Sequence, residues 1–306
     1  MSTDFTKVLV KDDRLVVTDS VKYAVIKGGQ NVTANTFNAI AKSPSSLTFN
    51  VQVPSEQTII DRRVLLKTTF TLKLTGSADA SGNYLVNLGR TDALAPFPMH
   101  QLFQTIQSTI NNNSINLNCQ DVINAIVRSN DIRELSAYNS MCPTAFDTYY
   151  NYSDAVGAVN NPNGSYYNAA DPDLQPRGAF GQIVDISGGA VPYTGTPQDV
   201  YITVTTTEPL LISPFIFADP KSNNQGFYGV QNLNFVFNLA SNANRAFRSG
   251  SASTFTSVTV ASIDSAELLF NFITPHPSDL LPARNVVPLT SYRGKERTKS
   301  VPLVVC

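Results

Sequence analysis

Apolar and polar positions alternate strictly through much of this chain. In Leu47-Thr48-Phe49-Asn50-Val51-Gln52-Val53 the odd positions are apolar and the even ones polar, the period of a strand with one buried and one wet face. Leu66, Phe70, Leu72 and Leu74 alternate in the same way with Lys67, Thr69, Thr71 and Lys73. Leu233, Phe235, Phe237 and Leu239 form a third such face, and Ala266, Leu268, Phe270 and Phe272 a fourth. Ile106 and Ile110 run into Asn111-Asn112-Asn113-Ser114, after which Ile115, Leu117 and Cys119 return. That is a hairpin, because Asn tolerates the left-handed backbone that tight turns require. Further strands are predicted at 22–27, 180–186, 199–206 and 255–260. The body from 46 to 275 therefore offers about eight strands with no βαβ rhythm, which predicts an all-β antiparallel sandwich or barrel.

Helix is sparse. Residues 120–130 place Val122, Ile123, Ile126 and Val127 on one face after a polar start at Gln120 and Asp121. A further turn could follow through Ile132, Leu135 and Tyr138, and a short third helix is predicted from Asn242 to Arg248. Residues 139–178 read differently: Pro143, Pro162, Pro172 and Pro176 punctuate a stretch that holds Tyr149, Tyr150, Tyr152, Tyr166 and Tyr167. It is too long for a connection and too aromatic for a free linker, so an ordered excursion is expected, packed on the sandwich or on a neighbour. After Pro275 the chain is rich in proline and ends on the apolar run Val301-Pro302-Leu303-Val304-Val305-Cys306. The expected organisation is an N-terminal segment at 1–45, a domain at 46–275, and an extended C-terminal segment at 276–306 whose last run pairs with another chain or begins a second domain.

Composition narrows the function. Of 306 residues only 15% are charged, against about a quarter in ordinary globular domains; Asn, Thr, Ser and Gln fill the difference. Lys and Arg number 22 against 23 Asp and Glu. The early residues mix Lys7, Lys11 and Arg14 with Asp4, Asp12 and Asp13, so no basic arm is present. Tight nucleic-acid binding by counterion release is not expected. No apolar run reaches the roughly 18 to 20 residues of a membrane span, and MSTDFTKVLV lacks a secretory pattern. A soluble chain in a reducing compartment is expected, so the sequons at Asn31, Asn112, Asn151 and Asn163 read as accidents of an Asn-rich sequence.

Candidate chemistry is thin. His100 and His276 each sit in a proline-containing turn, Phe97-Pro98-Met99-His100 and Thr274-Pro275-His276-Pro277, and lack a partner at ligand spacing. Cys119, Cys142 and Cys306 are too few and too scattered for a disulfide framework or a zinc site. Cys142 could act as a nucleophile only if His100 folded onto it. Asp147, Asp154, Asp171 and Asp173 lack the spacing of a calcium loop, and Asp61-Arg62-Arg63 suggests an internal ion pair or a contact to a neighbour. Arg293, Lys295, Arg297 and Lys299, with Glu296 among them, make a modest basic patch. No catalytic, cofactor-binding or metal-binding residue is assigned, no cofactor is expected, and the chain does not read as an enzyme.

Several phrases carry a resemblance. Lys22 to Thr33 (KYAVIKGGQNVT) followed by Phe49 to Val64 (FNVQVPSEQTIIDRRV) resembles the opening of the double jelly-roll major capsid proteins of virophages and Polinton-like viruses. Phe97 to Phe103 (FPMHQLF), Asn160 to Ser165 (NNPNGS) and Leu174 to Gly178 (LQPRG) add to it. The resemblance implies an eight-stranded jelly-roll β-sandwich with few short helices and long loops, and no catalytic residues to carry over. Because only one set of strands is legible, the chain would be the first roll of a double jelly roll, a single-roll vertex protein, or a compact variant whose second roll the alternation does not reveal. It also implies a structural capsid protein of the virion that self-assembles into an icosahedral shell, with a trimer or pentamer as building block and other capsid proteins as partners. The alternative is a carbohydrate-binding or adhesive β-sandwich, with the tyrosines of 149–167 as its stacking platform.

Overall fold

The computed structural model describes residues 8–11, 23–26, 32–77, 92–130, 135, 137–138, 141–143, 183–188, 198–216, 226–249, 254–275, 281, 285–289 and 301–305. In chain order the elements begin with Val8–Lys11 (β1), Tyr23–Ile26 (β2), Val32–Asn38 (β3), Ala41–Lys42 (β4) and Ser46–Val51 (β5). Ile59–Ile60 (β6), Leu65–Ser77 (β7), Asp92–Leu94 (β8), the helix Pro98–Leu102 (α1) and Phe103–Ile110 (β9) follow. Next come Asn113–Asn118 (β10), the helix Cys119–Ser129 (α2), Ile183–Gly188 (β11), Gln198–Pro209 (β12) and Leu233–Leu239 (β13). Phe247–Ser249 (β14), Thr254–Ile273 (β15), Asn285–Leu289 (β16) and Val301–Val305 (β17) complete the set.

Two antiparallel sheets make the body. One has five strands in the order β10-β9-β13-β5-β4, the other six in the order β11-β12-β7-β15-β3, with β6 also paired to β15. Within them, β3, β7, β12 and β15 lie on one side and β5, β9, β10 and β13 on the other. Consecutive long strands therefore tend to fall in opposite sheets, while early strands pair with late ones: β3 with β15, and β5 with β13. That winding is a jelly roll. β3 belongs to it although it precedes residue 46, where the clear alternation begins.

The positions that the alternation turns inward form the core: Leu47, Phe49, Phe70, Leu72, Leu233, Phe235, Phe237 and Leu268 are fully buried. Phe235 lies between the sheets, its ring centroid 5.6 Å from Phe215 and 6.3 Å from Phe270. Burying such a side chain contributes roughly 1.5–3 kcal/mol. The predicted hairpin is present, with Ile110 opposite Asn113; Asn111 and Asn112 take φ of 46° and 67°, the left-handed backbone expected of them. Asn111 also pins this turn to the neighbouring connection. Its Oδ1 accepts from the N–H groups of Gln231 and Asn232, at 2.8 and 3.3 Å, and its Nδ2 donates to Gly229 O at 2.6 Å.

Four expectations change. The strands predicted at 255–260 and 266–272 are one strand, β15, with three register shifts against β7. Each bulge flips the inward parity, so Val258, Ile263 and Ala266 are all buried despite their spacing and the pattern reads as interrupted. The third helix does not form: Asn242 Oδ1 accepts from Asn244 N at 2.8 Å, an Asx turn, and Phe247 onward pairs with β8. Phe97-Pro98-Met99-His100 is the start of a helix and not only a turn. The C-terminal run has a partner within the chain, since Val301–Val305 pairs antiparallel with Asn285–Leu289.

The connections sort by end. Gln198 lies opposite Gly76 and Thr254 opposite Ser77, so the links to 78–91, 189–197 and 250–253 leave from one end of the sandwich. The link from β10 through α2 toward β12 starts at that end, and most of the excursion 139–178 lies outside the described residues. Cys119, Val122, Ile123, Ile126 and Val127, the apolar face of α2, are buried as the 3.6-residue pattern predicts.

Candidate functional site

A buried acid–base contact joins α1 to β12. Val200, Ile202, Val204 and Thr206 fix the inward parity of β12, and two residues further that parity carries Glu208 into the interior, where it is fully buried. Its Oε1 accepts from Met99 N at 2.7 Å, and its Oε2 from His100 N at 3.1 Å and His100 Nδ1 at 2.7 Å. Phe97, the residue before the helix, offers no side-chain cap, and Pro98 has no N–H. Glu208 therefore serves as the helix cap from another strand. Leu211 N donates to His100 Nε2 at 3.2 Å, which places the imidazole proton on Nδ1, directed at Glu208.

This arrangement resembles an acid–base dyad but has no opening to substrate, since both side chains are inaccessible to solvent. Both ring nitrogens of His100 are occupied, so it does not activate Cys142, although Phe97 N donates to Pro143 O at 2.8 Å and brings that segment beside α1. Burial pushes the Cys119 thiol up to about 12, with Arg245 opposing weakly, and a thiol is a poor nucleophile. His276, Cys306, the aspartates 147, 154, 171 and 173, and the basic patch 293–299 lie outside the described residues. Among those described, no group of three or more His, Cys, Asp or Glu side chains converges, and no helix is long and apolar enough to cross a membrane. Asp61 Oδ1 accepts from Arg63 N at 3.0 Å, a local turn contact.

The two outward faces of the sandwich differ. On the six-stranded sheet, threonines pair across β7 and β12: Thr69 with Thr205 and Thr71 with Thr203, each at 2.9 Å. Charges appear there in pairs, Lys73 with Asp199 at 2.9 Å and Lys67 with Glu267 at 3.9 Å. Hydrogen bonds from Thr75 and from Lys73 hold the Asp199 carboxyl below the usual carboxylate range. On the five-stranded sheet, β5, β9, β10 and β13 contain no charged residue. Its outward positions line up in cross-strand rows. Asn50, Asn234, Thr109 and Ser114 form one; Thr48, Val236, Gln107 and Asn116 form the next. A third follows, where Asn238 Nδ2 donates to Thr105 Oγ1 at 3.0 Å. The sheet's one cation, Lys42 on the short edge strand, donates to Asp264 O.

The winding of the sheets matches that of known capsid proteins. The family model described as the Sputnik virophage major capsid protein first domain matches residues 3–273. The chain belongs to that family. Among curated relatives, the putative capsid protein V20 of Sputnik virophage is 28% identical over 292 residues, covering 92% of this chain and 47% of the relative. Among solved structures, the cryo-EM structure of the Sputnik virophage shares 26% identity at a TM-score of 0.67, over 93% of this chain and 56% of that one. The mavirus major capsid protein, at 14% identity and a TM-score of 0.58, matches 84% of this chain and 50% of its own, and agrees in fold. This member of the Sputnik capsid family thus spans about half the length of the relatives it matches.

Proposed function

We propose that this chain is the first jelly roll of a virophage-type major capsid protein: a structural subunit of the virion, without enzymatic activity, that builds an icosahedral shell with copies of itself and other capsid proteins. The observation that carries this reading is the family match across residues 3–273, on a sandwich whose strands are wound as a jelly roll. The chemistry supports it: the His100–Glu208 pair is sealed inside the core, and the described outward faces offer neutral polar rows and paired charges. We place the roll at 46–275 together with β3, and read 276–306 as the approach to a second roll. The building block is a trimer or pentamer, and near-neutral charge argues against tight nucleic-acid binding.

Gel filtration with negative-stain microscopy of the purified protein tests this. Trimers, pentamers or shells are the expected result. A monomer at every concentration that binds glycans would instead favour an adhesive sandwich.

A further inference from the structure

We propose that the charge-free outer face of the five-stranded sheet, centred on Val236 and Gln107, is the side-to-side contact by which one copy of this chain meets another. The inference deepens the capsid reading and rests on it. A solvent-facing sheet normally carries charges, which oppose unwanted association. Here β5, β9, β10 and β13 carry none, while the opposite sheet carries Lys67, Lys73, Asp199 and Glu267 on its outward side. Desolvating amides and hydroxyls costs far less than desolvating ions, provided that they find partners.

The composition of the face selects the occupant. With no cation it offers nothing to a nucleic acid or an anionic lipid surface. With Val236 as the apolar residue of its central row it cannot enter a bilayer, and with no aromatic side chain in its outward rows it offers no stacking platform for a sugar. Asn and Gln each present a donor and an acceptor, so a row such as Asn50, Asn234 and Thr109 is complementary to another surface of the same kind. A second copy of this chain supplies such a surface. Four strands of about six or seven residues, at roughly 3.3 Å per residue and 4.8 Å between strands, span on the order of 400 Å² in projection. That is about half of the roughly 800 Å² per partner in a standard stable interface, and the flanking connections would supply the rest.

The test adds charge without changing shape. Gln107→Glu combined with Asn234→Asp keeps every heavy-atom position and places two carboxylates on the face. The variant should melt with the wild type by circular dichroism, yet need at least ~10-fold more protein to assemble in sedimentation velocity, because like charges meet across the contact. Raised salt should recover part of the loss. Thr203→Asp, on the opposite sheet, should assemble as the wild type does. Independently of any effect on folding, a cysteine introduced by Asn234→Cys should react with maleimide in dissociated subunits and be protected after assembly. If the doubly charged variant assembles at wild-type concentrations, or Asn234→Cys stays reactive in the assembled state, this face is not the contact and the capsid reading stands. A wild-type chain that never self-associates would overturn both.

Discussion

Replacing Glu208 with Ala should be among the most damaging single changes in the interior. The carboxylate accepts three hydrogen bonds, from Met99 N, His100 N and His100 Nδ1. All of these groups belong to fully buried residues, so the alanine variant strands three donors and leaves α1 without a cap. A buried donor that loses its partner costs about 1–3 kcal/mol, and because the three losses share one void that water can partly fill, a total of about 3–5 kcal/mol is expected. The midpoint of thermal unfolding should then fall by roughly 6–20 °C at about 2–4 °C per kcal/mol. Glu208→Gln keeps the shape, but in either orientation its amide nitrogen faces a donor, so an intermediate loss of about 1–3 kcal/mol is expected. The chain has no Trp, so unfolding of dissociated subunits in urea is best followed by circular dichroism. A Glu208→Ala variant within about 1 kcal/mol of wild type, below the cost of even one stranded pair, would refute the reasoning. So would a glutamine variant worse than the alanine one.

Asn111→Ala removes three hydrogen bonds to the Gly229–Asn232 connection and puts a less tolerant residue at a φ of 46°; a loss of about 2–4 kcal/mol in the same assay is expected, and an unchanged midpoint would show that the turn is not pinned there. For Cys119 the sign follows from burial: its folded value, about 12, lies above the ordinary 9.0, so its contribution is complete below pH 9 and is lost as pH rises toward 12. Stability should then fall by up to about 1.4 kcal/mol per pH unit in that window, a slope that Cys119→Ala should reduce, and the thiol should resist disulfide reagents until the chain unfolds.

Much of the fold was legible because it is written locally. Alternation at 47–53, 66–74 and 233–239 needs only the two-residue period of a strand to say which side chains turn inward, and Phe49, Phe70 and Phe235 are buried accordingly. The hairpin at Asn111 and the buried face of α2 were readable for the same reason. Glu208 was within reach as well: extending the parity of Val200, Ile202 and Val204 puts it in the core, and a buried carboxylate demands a partner. The identity of that partner was not, because His100 lies 108 residues away in sequence and no local pattern links them.

Tertiary structure alone decided the rest. Strand order places β15 between β3 and β7, a choice made by packing two faces around one core and not by any strand's own sequence. The bulges of β15 hid a single strand behind two patterns, since an extra residue reverses the parity on which the reading depends. The charge-free face, finally, is assembled from β5, β9, β10 and β13, whose neutral residues look ordinary one strand at a time. Only their registration side by side makes them a surface, because a sheet face is a property of pairing, and pairing between distant segments is settled by the whole fold.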